Sequence, residues 1–404
     1  MIDNMSNTSK KKIEEEFFKG KIPFAIDADN YKRFSEFNHT FGRTGWDESF
    51  IGFKQYLTEK ESKKLGRKGY SREDFAARAS GWTLFDHFKR AFGPEQIHDP
   101  KKFSYTDLGS KLEKFDAKNH EYNTKIIKRM AKVFGAFDVG ICSVDTNKSF
   151  IYKKNRENED IQLPESMKTV VVMIIKMDYD SLKTSPTLPS SISNAVGYSQ
   201  MAFTSACLSE FIRYLGYNAY SSGNDTALNV PLAILAGLGQ LGRNGLLIHP
   251  KIGQAIRICK IFTDLPLISD KPINFGTHKF CKVCKKCVKK CPAQAITNEN
   301  PTWTSPYDSI SNNNGVFKWY VNVDKCHAFW LRNAGDCSNC ISVCPFTKPE
   351  GRIHDIPRFF IKFFPILNPF WVFLDDFMGK IPLWGYGKQK NPKSFWEKKK
   401  YLNK

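Results

Sequence analysis

The sequence is poor in acidic residues relative to its basic content, and it has no long apolar run. Its 61 lysines and arginines outnumber 41 aspartates and glutamates, which gives a formal net charge of +20. Such a balance favours anionic partners: an acidic redox protein, nucleic acid or a negatively charged membrane surface. No stretch of about 18 uninterrupted apolar residues occurs, which argues against a transmembrane helix.

The first twenty residues lack an apolar core segment and paired arginines. Neither a Sec nor a twin-arginine signal is therefore visible, and we expect a cytoplasmic protein. The nearest apolar segment is "FFIKFFPILNPFWVFLDDF" from Phe359, which is interrupted by Lys362, Pro365, Pro369 and an Asp pair. We interpret it mainly as a tail that packs on a domain, and contact with a membrane surface is the alternative.

No G-x-G-x-x-G sequence follows a predicted strand, so a nicotinamide or flavin site of the Rossmann type is not indicated. The stretch "AGLGQLGRNG" is rich in glycine, but Gly237, Gly239 and Gly242 do not have that spacing. One interpretation is the end of a helix followed by a tight turn. The other is backbone packed close against a large flat ligand.

Cysteine, in contrast, is abundant and clustered. Eight of the eleven cysteines lie in "FCKVCKKCVKKCPAQAI", which starts at Phe280, and in "CHAFWLRNAGDCSNCISVCPF", which starts at Cys326. The first stretch has the spacing C-x₂-C-x₂-C-x₃-C-P, and the second repeats the ending C-x₂-C-x₃-C-P. Such short steps let one loop present three thiolates to one iron–sulfur cube, while the fourth cysteine reaches the other cube.

This interlocked pattern predicts two [4Fe–4S] clusters. One is held by Cys281, Cys284, Cys287 and Cys344, and the other by Cys291, Cys326, Cys337 and Cys340. Zinc is the alternative, but zinc needs neither the interlocking nor the Cys-Pro endings. Thiolate ligands require a reducing compartment or a protected site. The three other cysteines, Cys142, Cys207 and Cys259, lie in apolar segments and are predicted to be buried structural thiols.

Six lysines crowd the first cysteine motif, namely Lys279, Lys282, Lys285, Lys286, Lys289 and Lys290. They form either a solvated loop face or a docking patch for an acidic electron donor such as a ferredoxin or flavodoxin. Their positive field would also favour the reduced cluster and raise its potential.

Periodicity predicts layered helices and strands between residues 120 and 270. Apolar residues at helical spacing run from Ile126 to Phe134, and Gly135 ends that helix. The segment "FDVGICSV" reads as a strand, and the β-branched run from Val170 to Ile175 is typical of a strand buried on both faces. A Pro/Ser-rich loop then leads into a helix, "YSQMAFTSACLSEFIRYLGY", which begins at Tyr198 and ends at Gly216.

Downstream, "NVPLAILAGLGQLGRNGLLIHP" predicts a short helix, a glycine turn and a strand, and "QAIRICKIFTDLPL" predicts a further strand. The chain is therefore expected to be an α+β protein. The predicted divisions are an N-terminal region at 1–119, an α+β domain at 120–270, a ferredoxin-like double-cluster domain at 271–350, and an aromatic and basic tail at 351–404.

Three stretches together resemble the corrinoid-dependent reductive dehalogenases: "NDTALNVPLAILAGLGQLGRNGLLIHPKIGQAIRICKIFTDLPL", "DKPINFGTHKFCKVCKKCVKKCP" and "CHAFW…CSNCISVCPF". The resemblance runs from about Phe134 to about Tyr386. It implies a nitroreductase-like α+β core that binds a cobalamin-type cofactor base-off. The ferredoxin-like domain would supply the electrons that bring the cofactor to Co(I). The absence of a D-x-H-x-x-G motif, which supplies a histidine to cobalt in other corrinoid proteins, fits this expectation. Gly237, Gly239 and Gly242 become candidates for contact with the corrinoid.

The resemblance also implies a reaction centre made of Tyr198, Asn224 and Arg257. Replacing a carbon–halogen bond by carbon–hydrogen needs two electrons and a proton, and a tyrosine can supply the proton as general acid. A nearby arginine stabilises the tyrosinate left behind, and Asn224 orients the substrate or the phenol by hydrogen bonding. Without the resemblance, a tyrosine at a helix start is usually a packing residue, and an arginine in a strand is often half of a salt bridge.

Two other functions remain open. An enzyme similar to epoxyqueuosine reductase would act on tRNA, which the basic charge suits. That family uses an acid near the position of Asn224, and Asp225 is adjacent, but the N-terminal region and the aromatic tail are outside its pattern. A non-catalytic electron-transfer subunit would hold the clusters without cobalt, although the large α+β domain argues against it.

The main interpretation predicts a small halogenated organic substrate and no nucleic acid partner. An aromatic pocket would suit a halocarbon. The aromatic candidates for its lining are Phe37, Phe41, Trp46, Trp82, Trp303, Trp319 and Trp330. Each of them is also explained by ordinary core or surface packing.

Overall fold

A computed structural model of the 404-residue chain describes residues 7–55, 62–87, 113–380 and 391–397. The segment near Tyr386, where the resemblance ends, lies outside these residues. Within them there are six strands: β1 (Asp138–Ser143), β2 (Thr169–Lys176), β3 (Ala219–Ser222), β4 (Gln240–Leu241), β5 (Leu247–Ile248) and β6 (Ile256–Thr263). Four strands form an antiparallel sheet in the order β1–β2–β6–β3, and β4 pairs with β5 as a hairpin.

The described α-helices, in chain order, are α1 (Asn7–Lys19), α2 (Thr40–Trp46), α3 (Arg72–Gly81), α4 (Thr83–His87), α5 (His120–Val133), α6 (Tyr179–Leu182), α7 (Pro189–Tyr214), α8 (Asn229–Leu235), α9 (Thr277–Cys284), α10 (Lys286–Lys289), α11 (Val323–Asn333), α12 (Asn339–Ser342), α13 (Arg352–Phe363), α14 (Asn368–Lys380) and α15 (Pro392–Trp396). Short 3₁₀ helices span Glu36–Asn38, Ser62–Lys64, Asp145–Phe150 and Pro365–Leu367. The predicted α+β class is confirmed.

The central strand β2 is buried on both faces, as its β-branched run predicts. Val170, Val172 and Ile174 pack into one hydrophobic cluster, which also contains residues of α8. Val171, Met173 and Ile175 point the other way, into a cluster with residues of α5 and α7. Because successive side chains of a strand alternate between faces, one apolar run supplies both layers of the core.

The long helix α7 begins at Pro189, whereas the sequence predicted a helix beginning at Tyr198. The second half of the predicted Pro/Ser-rich loop is therefore helical. Proline is well suited to the first turn of a helix, where its missing N–H has no partner to lose. The predicted end is confirmed, because Gly216 follows the helix with a φ of 87°. This correction moves Tyr198 from a helix start to the middle of a helix.

The apolar tail packs on the cluster domain with one face and exposes the other. Ile361 is buried beside cysteines of that domain, and Trp371 packs against the same cluster of side chains. The exposed face carries a row of phenylalanines: Phe359, Phe363, Phe370, Phe373 and Phe377. No helix among the described residues is long and apolar enough to cross a membrane.

Candidate functional site

The three predicted reaction-centre residues come from different elements and meet at one place. Tyr198 lies on α7, Asn224 in the loop after β3, and Arg257 on β6. The Asn224 amide donates a hydrogen bond of 2.6 Å to the Tyr198 hydroxyl. The Arg257 guanidinium lies 4.8 Å from the centre of the Tyr198 ring, over its face. The arginine thus contacts the aromatic ring, and among the described residues the asparagine is the one hydrogen-bonded to the hydroxyl.

A buried lysine holds the loop that carries Asn224. Lys260 Nζ donates to the carbonyl oxygens of Gly223 (2.7 Å) and Asp225 (2.9 Å) and to Asn229 Oδ1 (2.7 Å). Asn229 in turn donates to Asn224 Oδ1 at 3.1 Å. Burial lowers the pKa of Lys260 to about 8, although Asp225 and Glu36 act in the opposite direction. The sequence analysis missed Lys260, whose signal is a second charged residue, after Arg257, inside the apolar strand "IRICKIF".

A chain of side chains connects Arg257 to the cluster domain. Arg257 donates from Nη2 to Asn194 Oδ1, and Asn194 donates from Nδ2 to Asp336 Oδ2. Ser191 donates its hydroxyl proton to the other carboxylate oxygen of Asp336. Asp336 immediately precedes Cys337, one of the predicted cluster ligands. These contacts fix the position of the Arg257 side chain from the side of the cluster domain.

Aromatic residues of the N-terminal region cover Tyr198. The Trp82 ring stacks on the Tyr198 ring with centroids 4.9 Å apart, and the Phe85 ring meets it edge-on at 5.4 Å. Of the seven predicted aromatic candidates, Trp82 is the one placed against Tyr198. Trp303 packs on Phe317 and Trp319 packs near α1, while Phe37 with Trp46 and Phe41 with Trp330 form two further pairs.

Asp225 is the acid that an enzyme similar to epoxyqueuosine reductase would use, and its carboxylate is hydrogen-bonded within its own loop. One carboxylate oxygen of Asp225 accepts from the Gly223 N–H at 2.9 Å, and the other accepts from the Thr226 hydroxyl at 2.9 Å. Neither oxygen is directed to Tyr198. This geometry disfavours Asp225 as a proton donor.

The glycines of "AGLGQLGRNG" lie against protein atoms. A side chain at Gly237 would come within 2.6 Å of the Lys271 carbonyl oxygen, and one at Gly239 within 2.3 Å of the Ile248 carbonyl oxygen. A side chain at Gly242 would meet Gln254 Nε2 at 2.8 Å. Gly237 follows α8 with a φ of 73°, so the interpretation as a helix end and turn is confirmed. Contact of these glycines with a corrinoid stays a prediction.

The cysteines assemble as two interlocked sets. One cavity is lined by Cys281, Cys284, Cys287 and Cys344. Burial raises the pKa of the Cys281 thiol to about 12, and the neighbouring Cys344 adds to that rise. Burial likewise raises the pKa of Cys326 to about 12, with contributions from Cys337 and Cys291. The first group thus includes Cys344, the cysteine that the spacing predicts to cross over, whereas the assignment of Cys291 to the other cluster stays a prediction.

The donor set fits an iron–sulfur cube better than a single ion. Among the described residues, no three Cys, His, Asp or Glu side chains are placed to hold one metal ion together. A zinc ion needs its four thiolates within about 2.3 Å of one point, whereas a cube spreads them over four irons.

Two predictions about individual residues need correction. Lys286 is buried, and it forms ion pairs with Asp375 and, at 2.9 Å, with Asp376. It therefore cannot belong to a surface docking patch, whereas Lys282, Lys289 and Lys290 are exposed. Cys142 and Cys259 are buried as predicted, but Cys207 is only partly buried.

The fold and these sites define an iron–sulfur protein in which a double-cluster domain adjoins an α+β domain with a Tyr–Asn–Arg group. Residues 280–347 match the family model described as "4Fe-4S double cluster binding domain". Residues 118–267 match the model described as "Reductive dehalogenase subunit". Residues 118–267 and 280–347 are therefore similar to a reductive dehalogenase subunit and to a domain that binds two [4Fe–4S] clusters, which confirms the resemblance seen in the sequence.

Named relatives agree with these matches over part of their length. A tetrachloroethene reductive dehalogenase from Desulfitobacterium hafniense is 46% identical over 193 residues, which cover 47% of this chain and 35% of the relative. The tetrachloroethene reductive dehalogenase of Sulfurospirillum multivorans is 36% identical over 242 residues, covering 60% of this chain and 47% of the relative. An epoxyqueuosine reductase from Atelocyanobacterium thalassa is 29% identical over 128 residues, covering 31% of this chain and 39% of that protein. The matched part of the chain spans less than half of each of these relatives.

A solved structure shares the fold. The catabolic reductive dehalogenase NpRdhA superposes with a TM-score of 0.72 and 21% sequence identity, over 92% of this chain and 49% of that protein. The predicted α+β core with a C-terminal double-cluster domain is therefore confirmed.

Proposed function

We propose that this protein is a reductive dehalogenase, which replaces a carbon–halogen bond of a small organic substrate by carbon–hydrogen. The observation that carries the proposal is the Tyr198 hydroxyl, held by Asn224 beside the Arg257 guanidinium. The reductive dehalogenase domain and the named relatives support the same reaction class.

The reaction consumes two electrons and one proton and releases a halide ion, so the protein must deliver both. A base-off cobalamin-type corrinoid, when bound, supplies the Co(I) centre that cleaves the carbon–halogen bond. The two clusters supply electrons one at a time. Tyr198 supplies the proton as general acid. Because Tyr198 is only partly buried, its proton can be replaced from solvent after each turnover.

Several buried polar atoms near the junction of α7 and the cluster domain fit a polar ligand. Arg257 Nε, the Ser190 hydroxyl and the Ser338 hydroxyl are buried and have no hydrogen-bond partner among the described residues. A buried donor without a partner is costly, so such atoms indicate contacts that a ligand completes. We propose that these three residues would contact the corrinoid when it is bound.

Metal analysis tests this proposal. Protein that has been reconstituted anaerobically with iron, sulfide and cobalamin should contain about one cobalt for every eight irons. A preparation that fills with iron and consistently refuses cobalamin would leave the non-catalytic electron-transfer subunit as the function.

We propose an acidic electron donor such as a ferredoxin or flavodoxin as the partner. The net charge of +20 and the exposed Lys282, Lys289 and Lys290 near the clusters support it. Association steered by charge slows as salt screens the field. The rate of cluster reduction by a reduced ferredoxin should therefore fall steeply between low and high ionic strength, whereas reduction by a small uncharged reductant should not.

Peripheral contact with a membrane is a second proposal about partners, and it rests on the phenylalanine row of α13 and α14. Interfacial helices bind lipid through one apolar face. Co-sedimentation with anionic vesicles should be lost when Phe370 and Phe373 are both changed to serine. Binding that persists in that variant would contradict this role. A cytoplasmic location remains a prediction.

A further inference from the structure

The hairpin formed by β4 and β5 inserts its turn between the two cluster sites. The Gly242 N–H donates to the Leu246 carbonyl at 2.8 Å, and Gly245 has a φ of 76°, which glycine adopts without strain. The turn presents Arg243 and Asn244, and both line the cavity formed by Cys281, Cys284, Cys287 and Cys344. The reaction proposed above uses neither residue.

Arg243 is a buried cation held only by main-chain carbonyls and an aromatic ring. It is 2% exposed. Its guanidinium donates to the carbonyl oxygens of Cys281 (3.0 Å), Thr297 (3.0 Å) and Glu299 (2.9 Å), and it lies 4.7 Å from the Trp319 ring centre. Within the described part of the chain it forms no ion pair with a carboxylate. Buried charges are normally paired with an opposite charge, so another negatively charged group is expected to compensate the charge of Arg243.

Two other buried cations near the same cysteines are neutralised. Lys286 pairs with Asp375 and Asp376, and Lys348 pairs with Asp375 at 3.0 Å. Burial lowers the pKa of Arg243, and Glu299, whose carbonyl it binds and whose side chain is exposed to solvent, acts in the opposite direction. Arg243 is therefore the cation at this site whose charge a carboxylate does not cancel.

We infer that Arg243 raises the reduction potential of the cluster held by Cys281, Cys284, Cys287 and Cys344. One-electron reduction adds a negative charge to that cluster, and a fixed cation next to it stabilises the reduced form. The interaction is strong because the intervening medium is protein and not water. An arginine remains protonated even when it is buried, so its charge is constant across the working pH range. The inference rests on the double-cluster domain and not on the dehalogenation reaction.

Asn244 provides a control within the same turn. Its uncharged side chain lies near the Cys340 thiol, which belongs to the other ligand set, and acts to lower the pKa of that thiol against the effect of burial. The amide is fixed by Gln254, which accepts from Asn244 Nδ2 at 2.9 Å and donates to Asn244 Oδ1 at 2.6 Å. Hydrogen bonds to cluster sulfur atoms also tune potential. Asn244 therefore adjoins a ligand of the other cluster as well, but unlike Arg243 it carries no charge.

The experiment is an anaerobic redox titration of the two-cluster protein, followed by EPR. Arg243→Gln should lower one of the two midpoint potentials by at least 59 mV, which corresponds to a tenfold change in a one-electron equilibrium. Arg243→Lys keeps the charge and should restore most of that potential. Asn244→Ala should move the other midpoint potential. The inference is overturned if Arg243→Gln leaves both potentials unchanged, or if Arg243→Lys shifts the potential as far as Arg243→Gln does.

A second pair of variants covers the case in which Arg243→Gln does not assemble its cluster. The Thr297 hydroxyl accepts the Glu299 N–H at 3.1 Å in the turn whose carbonyls bind Arg243. Aspartate and asparagine can both accept that bond. Thr297→Asp adds a carboxylate near the guanidinium and should lower the same midpoint potential, whereas Thr297→Asn should leave it unchanged. Equal potentials in the two Thr297 variants would overturn the inference.

Discussion

The side-chain amide of Asn224 donates a 2.6 Å hydrogen bond to the hydroxyl oxygen of Tyr198. A hydroxyl that accepts one hydrogen bond keeps its own proton free to donate elsewhere. The asparagine therefore fixes the oxygen without consuming the proton, and this is the arrangement that a general acid requires. The Asn229 and Lys260 side chains behind Asn224 keep the amide in that orientation.

Replacement of Tyr198 by phenylalanine removes the proton and keeps the ring. The stacking on Trp82 and the contact with Arg257 depend on the ring and should persist. We expect cobalamin content and cluster spectra to be unchanged, while turnover of a halogenated substrate falls by about 10²-fold or more. Tyr217→Phe is the matched control, because the Tyr217 hydroxyl donates to the Phe115 carbonyl away from the site. Wild-type turnover by Tyr198→Phe would make Tyr198 a packing residue.

Asp336 is expected to position Arg257 through Asn194. Asparagine at position 336 offers one acceptor oxygen where Asp336 offers two, so only one of Ser191 and Asn194 can still donate a hydrogen bond to it. We expect kcat to fall about tenfold, equivalent to about 1.4 kcal/mol, with KM unchanged.

Iron content must remain at the wild-type level for that comparison, because Asp336 adjoins Cys337. Asp355→Asn, at an exposed acid paired with Arg358, is the control. A parallel rise in KM, or a loss of iron that accounts for the lower rate, would show that Asp336 does not act through Arg257.

The interlocked ligand sets predict a pattern of non-additive losses. Cys344→Ala should remove the cluster that it shares with Cys281, and the double Cys281→Ala, Cys344→Ala variant should lose no further iron. Combining Cys344→Ala with Cys340→Ala should remove both clusters. Cys207→Ala, at a partly buried cysteine outside both sets, should keep all the iron. Iron analysis and EPR measure how many clusters each variant keeps. An equal loss of iron from both double variants would show that the sets are not divided in this way.

The buried Lys260 predicts a pH dependence of stability. Its pKa is lowered from 10.5 to about 8 in the folded protein, because burial disfavours the charge. Between these two values the unfolded chain binds more protons than the folded one, so the contribution of Lys260 to stability rises with pH. The thermal midpoint of the wild type should therefore increase relative to that of Lys260→Met as pH rises from about 8 to about 10.

Differential scanning calorimetry under anaerobic conditions measures the difference in thermal midpoint between the wild type and Lys260→Met. Lys118→Met, at a side chain that is 89% exposed, is the control and should show no such trend. If the difference between the wild type and Lys260→Met stays constant over this range, Lys260 is neutral or charged throughout and the assigned shift is wrong.

Local patterns in the sequence were sufficient to predict β1, β2, β5 and β6, whereas the short strands β3 and β4 were not predicted, and the division of the cysteines into two ligand sets stays a prediction. The alternation of β2 between two core clusters follows from its own residues, and the cluster sets follow from the spacing of cysteines. The start of α7 was not predictable in this way, because Ser190, Ser191 and Ser193 suggest a loop. Their burial against neighbouring elements, which the sequence does not show, makes the helix favourable there.

Contacts between distant residues account for the rest. Asn194 and Asp336 are 142 positions apart, and Lys286 and Asp375 are 89 apart, so no local pattern connects them. The grouping of Tyr198, Asn224 and Arg257 came from resemblance to a family, and the structure adds the contacts that join them. Arg243 lies in the glycine-rich segment "AGLGQLGRNG". The glycines of that segment were interpreted as candidates for contact with a corrinoid, so a role of Arg243 at a cluster was not predicted.

The division of cysteines between the two sets also constrains how the protein is made. Cys281, Cys284 and Cys287 are synthesised together, but the fourth thiol of their cavity, Cys344, is the last cysteine of the second motif. Neither set of four ligands can be complete while the ribosome is still translating the segment between the two cysteine motifs. Iron therefore has to be inserted after the domain has been fully synthesised. Until Cys344 emerges, a nascent chain would hold up to seven exposed ligand thiols that need protection from oxygen.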